Sequence, residues 1–214
     1  QNPFPVQQEL AKMFSVPLSR VKVIVPYVGG AYGSKVYTKI EPLAVALARK
    51  AGRPVRIALS IEESVKTLRA HSATCRIKTG FKKDSTIMAR ECNIYINNGA
   101  YADVGPRVAQ KGALRIPGPY RIPHTRVDGY CVYTNTVPAG AYRGFSSPQV
   151  AFASESQLDT IASQVGLDPL EFRLKHLLYR NEEYHPNDRP IDADLRLSLT
   201  EVAKGIEWAS ASIQ

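Results

Sequence analysis

Two glycine-bearing turns carry the residues of this 214-residue chain best suited to chemistry. The first is Gly29-Gly30-Ala31-Tyr32-Gly33-Ser34-Lys35. A glycine has no Cβ, so backbone N–H groups there can approach a ligand closely, and a following helix N-terminus favours negative charge. The segment suits a phosphate or an oxo-anion. Its spacing is not that of a P-loop, because Ser34 separates Gly33 from Lys35, and it lacks the Gly-x-Gly-x-x-Gly dinucleotide pattern. The second turn is Pro138-Ala139-Gly140-Ala141-Tyr142-Arg143-Gly144-Phe145-Ser146-Ser147-Pro148-Gln149. Ser147 followed by Pro148 reads as the cap and first position of a helix.

The elements that must hold these turns follow from periodicity. Val6, Leu10, Met13 and Phe14 fit one face of an opening helix, with Pro5 in its first turn. Val21–Val25 alternates like a half-buried strand and leads into the first turn. Ile40, Leu43 and Leu47 predict the helix beyond it, with Pro42 near its start and Gly52 stopping it after about Lys50. Pro54–Leu59 reads as a strand and Ser60 as the cap of a short helix. Thr74–Phe81 and Thr86–Asn97 predict a hairpin around Lys82-Lys83-Asp84-Ser85. Asn98 to Pro123, rich in Gly and Pro, reads as a long ordered loop, and Arg126–Thr134 as a strand.

After the second turn, Val150, Ser154, Leu158, Ile161, Ala162 and Val165 form a helical stripe best read as core, ended by Gly166. Asp168 with Glu171 three residues on opens another helix, with Leu170, Leu174, Leu177 and Leu178 on its buried face. Thr200–Ile213 reads as a last helix containing Trp208. The expected fold is α+β, mixed sheets with helices packed on them. Its expected divisions are an N-terminal α/β lobe at 1–70, a β-rich segment with the long loop at 71–135, and the Arg-Gly-Phe turn with C-terminal helices at 136–214.

Composition narrows the function. The chain is 44% hydrophobic and 22% charged, the balance of a globular protein, and no apolar run approaches a membrane span. It shows no signal-peptide pattern and starts at Gln1, so it reads as cut from something longer. The +9 charge is scattered rather than blocked and lacks an aromatic–basic platform, which argues against nucleic acid and for an anionic cofactor or partner subunit. Cys75, Cys92 and Cys131 are single and widely spaced, as expected of reduced structural thiols in a cytoplasmic protein. His71, His124, His176 and His185 form no metal-ligand spacing and read as structural or surface residues.

The two turns together resemble the large subunit of the molybdenum hydroxylases, the xanthine dehydrogenase and aldehyde oxidase family. Its Gly-Gly-Gly-Phe-Gly-Gly-Lys segment is similar to Gly29–Lys35, and its Ala-Phe-Arg-Gly-Phe-Gly-x-Pro-Gln segment to Ala141–Gln149. Gln1-Asn2 followed by the Ala11-Lys12-Met13 helix is a third match. The resemblance covers nearly the whole chain and implies a molybdenum–pterin cofactor, often with a cytosine dinucleotide tail. The metal would have no protein ligand and would be held by outer hydrogen bonds.

By resemblance Gln1 would bond the apical oxo group. The backbone at Gly30, Tyr32, Gly33 and Arg143 would hold the oxo-anion and pterin. Phe145 would pack on the substrate ring. The implied reaction is hydroxylation of an electron-poor carbon with water as the oxygen source, electrons leaving through iron–sulfur clusters to a flavin on partner domains or subunits.

The family's general base is a Glu in a Gly-Glu-Pro-like segment near the end of the large subunit, and no such segment occurs here. Glu171, Glu182 and Glu183 stand in another context, so no catalytic residue is assigned, and the piece is expected to be inactive apart from the remainder of the large subunit. Purine-oxidising members place a Glu where this chain has Val36 and an Arg where it has Lys111. Loss of the carboxylate that pairs with purine N–H groups points to an aldehyde or aromatic N-heterocycle as substrate. Gly144 stands where carbon-monoxide dehydrogenases carry a Cys, which argues against their copper chemistry. The alternative is a cofactor-free domain that binds partner subunits, or an inactive fragment of such a protein.

Overall fold

The computed structural model describes residues 1–186 and 188–208. In chain order these form α1 (Pro3–Met13), a 3-10 turn (Leu18–Arg20), α2 (Glu41–Ala51), α3 (Ile61–Thr67), β1 (Arg69–Ala70), β2 (Ser72–Phe81), β3 (Ile87–Gly99), α4 (Gly105–Arg115), β4 (His124–Tyr133), β5 (Ala139–Gly140), α5 (Ser147–Gln164), α6 (Pro169–His176) and α7 (Leu195–Gly205). One sheet has the order β2-β3-β4. The other is the parallel pair β1-β5, with Arg69 opposite Ala139 and Ala70 opposite Gly140. The expected α+β class, helices packed on small mixed sheets, is what the chain adopts.

The contacts divide into two compact units. Unit one comprises Gln1–Ser72, Ile96–Val108 and Cys131–Phe145, and unit two Ala73–Tyr95, Ala109–Tyr130 and Ser146–Gln214. In unit one, α1 buries Val6, Leu10 and Ala11. Arg69 ties β1 to the end of β3 and to the loop before β5, donating to Asn97 Oδ1 at 2.7 Å, Val137 O at 3.0 Å and Thr136 Oγ1 at 2.8 Å. In unit two, Leu158 and Ile161 of α5 and Phe172 of α6 pack with Ile87, Tyr120 and Leu177.

Local chemistry sets most boundaries. Ser60 and Glu63 form a reciprocal capping box at the start of α3. Gly52, at φ 61°, ends α2 in the left-handed conformation glycine tolerates. Asp168 caps α6 by accepting from the amides of Leu170 and Glu171. The 82–86 turn of the hairpin is closed by Lys82 N–H donating to Thr86 O at 2.9 Å.

Six expectations need correction. Val21–Val25 and Pro54–Leu59 form no strand and belong to no sheet; Ile24 stays 73% exposed. Alternation makes a strand only where another strand supplies hydrogen bonds, and none among the described residues does so. The stretch 98–123 is not one loop, since α4 occupies its middle. Its two helical glycines, Gly105 and Gly112, are close-packing positions rather than breakers, while Gly99 and Gly118 turn the chain at positive φ on either side. A Cβ on Gly105 would lie 1.8 Å from Asn98 Oδ1, and one on Gly112 would meet Ser146 Oγ at 3.0 Å. At the second turn the cap is Ser146, and Ser147 is already helical. The buried face of α6 is carried by Phe172 and His176, while Leu177 and Leu178 follow the helix. The last helix starts at Leu195, because Asp194 accepts from Leu197 N–H and caps it early, and it ends at Gly205, ahead of Trp208. The part of that expectation beyond Trp208 lies outside the described residues.

Candidate functional site

The first turn is a compact bend. Ser34 N–H donates to Ala31 O at 2.9 Å and Val36 N–H to Gly33 O at 3.3 Å. Tyr32 is held at φ 49° and Gly33 at φ 110°. Helix α2 begins only at Glu41, whose carboxylate accepts from Lys39 N–H at 2.7 Å. The expected helix N-terminus at this turn is therefore absent; residues 36–40 intervene, and the donors here are the amides of the bend itself.

The second turn carries three successive residues at positive φ: Gly144 at 98°, Phe145 at 48° and Ser146 at 70°. Phe145 N–H donates to Tyr142 O at 2.9 Å. Here a long helix does follow at once, so the first-turn amides of α5 open toward this loop. Non-glycine residues in the left-handed region cost about 1 kcal/mol or more each and concentrate at functional loops. Tyr32, Phe145 and Ser146 are such residues, and they lie on the two glycine-bearing segments that the sequence marks out.

Within unit one these segments touch. An added Cβ on Gly33 would stand 2.5 Å from Ala141 O, so the first turn packs directly on Ala141 of the second. Asn2 Nδ2 donates to Val36 O at 3.3 Å, which brings the Gln1-Asn2 start beside the exit of the first turn. Gln1, Gly30, Tyr32 and Arg143 are exposed, and Gly33, Val36 and Phe145 are half-buried. Lys111 is a half-buried residue of α4 that falls in unit two.

A cavity of about 610 Å³ opens in unit one between α1, residues 36–38 and the start of α4. Asn2, Pro5, Val36, Thr38, Asp103 and Arg107 are among its lining residues. Asp103, at φ 41°, is ion-paired with Lys39. Thr38 Oγ1 is buried without a hydrogen-bond partner, and so is Ser146 Oγ in unit two. Orphaned buried hydroxyls are costly and normally find a protein or ligand partner. No motif in the sequence points to Thr38, Asp103 or Arg107; only the left-handed Asp103 and the placement of α4 reveal them.

The histidines and cysteines have structural surroundings. His71 bonds Asn98 Oδ1 at 2.9 Å, and Asn98 in turn donates to Ala102 O at 2.8 Å. His176 donates through Nδ1 to Phe172 O at 2.7 Å and accepts Ile87 N–H on Nε2 at 3.3 Å. Burial lowers its pKa and keeps the ring neutral. Cys92 is fully buried, and desolvation pushes its thiol up to about 11. All three cysteines are free thiols. No helix among the described residues is long and apolar enough to cross a membrane.

Within unit one the two glycine-bearing turns and the Asn2 start of the chain thus meet. Residues 1–177 match the molybdopterin cofactor-binding domain family, and the chain belongs to it. It is 38% identical over 170 residues to a probable xanthine dehydrogenase subunit of Bacillus subtilis, covering 79% of this chain and 23% of that protein. It is 35% identical over 175 residues to the nicotinate dehydrogenase large molybdopterin subunit of Eubacterium barkeri, covering 81% and 41%. The fold is similar to aldehyde oxidoreductase from Desulfovibrio gigas, with TM-score 0.86, 28% identity and coverage of 94% of this chain and 22% of that one. The chain thus spans only part of the length of the curated relatives it matches, from 13% of a rat aldehyde oxidase to 41% of the Eubacterium barkeri subunit.

Proposed function

We propose that this chain is part of the catalytic subunit of a molybdenum hydroxylase that oxidises an aldehyde or an aromatic N-heterocycle, with water as oxygen source. The observation behind this reading is the convergence within unit one. Gly33 lies on Ala141, and Asn2 bonds Val36 O, so three segments distant in sequence meet within one unit. The residues present fit the cofactor. Turn amides and the Gln1 side chain are uncharged donors suited to oxo and pterin oxygens, and Gly33, where an added Cβ would meet Ala141 O at 2.5 Å, keeps the two turns in contact.

In this reading Gln1 orients an oxo group. The backbone at Gly30, Tyr32 and Gly33 and the Arg143 loop hold the pterin and its anionic groups. Phe145 packs against the substrate ring, and Val36 and Lys111 stand on the substrate side. When bound, the molybdenum–pterin group would supply the two-electron oxidation, with iron–sulfur clusters and a flavin on partner domains or subunits as the electron acceptors. The general base comes from the remainder of the large subunit. Val36 in place of a carboxylate leaves a purine's N–H groups unpaired, which disfavours purines.

Metal and pterin analysis of the intact, co-expressed complex tests the proposal. The expected result is molybdenum near one equivalent per large subunit, together with oxidation of an aldehyde or N-heterocycle. A complex that assembles fully without molybdenum or pterin refutes it, and supports a cofactor-free subunit-interaction domain instead.

A further inference from the structure

We infer that the unit-one cavity selects substrates bearing a carboxylate or similar anionic group, and that Arg107 is the residue that recognises it. The inference rests on the reading above, in which Val36 is a substrate position. Val36 lines this cavity with Thr38, Asp103 and Arg107. The charges around it decide the polarity. Asp103 is neutralised by Lys39. Glu9 also lines the cavity, and no ion pair is formed by it or by Arg107 among the described residues. On α1, Glu9 stands seven residues from Asn2, about 10 Å along the helix, whereas Asn2 itself bonds Val36 O.

The Val36 position therefore carries no negative charge, and the wall formed by the start of α4 supplies a permanently charged guanidinium. Arg107 offers five N–H donors in a planar fork and can hold a carboxylate through two parallel bonds. Thr38 Oγ1, buried and unpartnered, is a neutral donor among the lining residues of the same cavity. A neutral, purely apolar substrate would leave both groups unused.

The test uses the intact holoenzyme with matched pairs: formylbenzoate against formylbenzamide, and a pyridine carboxylate against its carboxamide. The wild type is expected to prefer the anionic member in kcat/KM, with a preference that weakens as salt rises. Arg107→Gln should lower the anionic-to-neutral ratio roughly tenfold or more, the scale of a charge-assisted bidentate contact. Arg107→Lys should restore part of it, and Glu9→Gln should raise it. Equilibrium binding of benzoate against benzamide, neither carrying an aldehyde, gives the same ratio without turnover and is read whether or not the protein holds metal. A ratio that Arg107→Gln leaves within twofold in both measurements overturns the inference. Should molybdenum be present and both members of a pair be oxidised, the cofactor reading stands even as this inference falls.

Discussion

Gly33→Ala tests the packing of the two turns most directly. Gly33 sits at φ 110°, beyond the left-handed well that an L-residue can reach, and an added methyl carbon would lie 2.5 Å from Ala141 O and 2.8 Å from Ala141 C. The backbone conformation alone costs about 2 kcal/mol. Displacing the Ala141 carbonyl adds about 1–3 kcal/mol, as overpacking of a fixed neighbour does. The expected local loss is about 4 kcal/mol. Gly52→Ala is the control. Gly52 also has positive φ, at 61°, but nothing lies within 4 Å of its added Cβ, so only about 1 kcal/mol is at stake.

The readout is hydrogen exchange of the Ser34 and Val36 amides in the intact parent protein, with molybdenum content measured on the same samples. The difference of about 3 kcal/mol corresponds to roughly 100-fold faster exchange at the first turn in Gly33→Ala, confined to residues 31–36 and 139–145 if opening is local. Molybdenum should fall in Gly33→Ala and stay near wild type in Gly52→Ala. Equal effects of the two substitutions would refute the claim that contact with Ala141 holds the first turn in place.

Two further outcomes follow from the buried titratable groups. His176 is neutral in the fold, because burial lowers its pKa and Nε2 accepts Ile87 N–H. The unfolded chain binds that proton more readily, so the His176 contribution is intact above about pH 6.5 and is lost as pH falls through that value toward the lowered one. Urea midpoints of the parent at about pH 7.5 and about pH 5.5, on either side of that value, should show a drop that His176→Gln reduces; an unchanged drop means other groups carry the acid sensitivity. Cys92 is fully buried with its thiol raised to about 11 by desolvation. Iodoacetamide at about pH 8 followed by peptide mapping should label the half-buried Cys75 and Cys131 before Cys92, with Cys92 reacting only on denaturation; early labelling of Cys92 would show that β3 opens readily.

Much of this protein is legible from residue order because the forces concerned are local. Helix stripes such as Val150, Ser154, Leu158 and Ile161 bury one face whatever they pack against, and all four are buried here. Caps such as Ser60 and Asp168 satisfy backbone amides two or three residues away, so their roles are set before the chain folds. The glycine turns and the family they belong to are likewise visible as motifs.

What required the tertiary structure was every feature that depends on a distant partner. Val21–Val25 alternates as a strand should, yet it pairs with nothing among the described residues, because a ladder needs a neighbour that periodicity cannot supply. Gly105 and Gly112 read as breakers and prove to be helical, since only three-dimensional packing shows that Asn98 and Ser146 occupy the space a side chain would need. The contact of Gly33 with Ala141, the bond from Asn2 to Val36, and the cavity beside Arg107 join residues between 34 and 108 positions apart or depend on such contacts. Close approach over such separations is decided by the packing of the whole unit, and so is the shape of the space in which a substrate would sit.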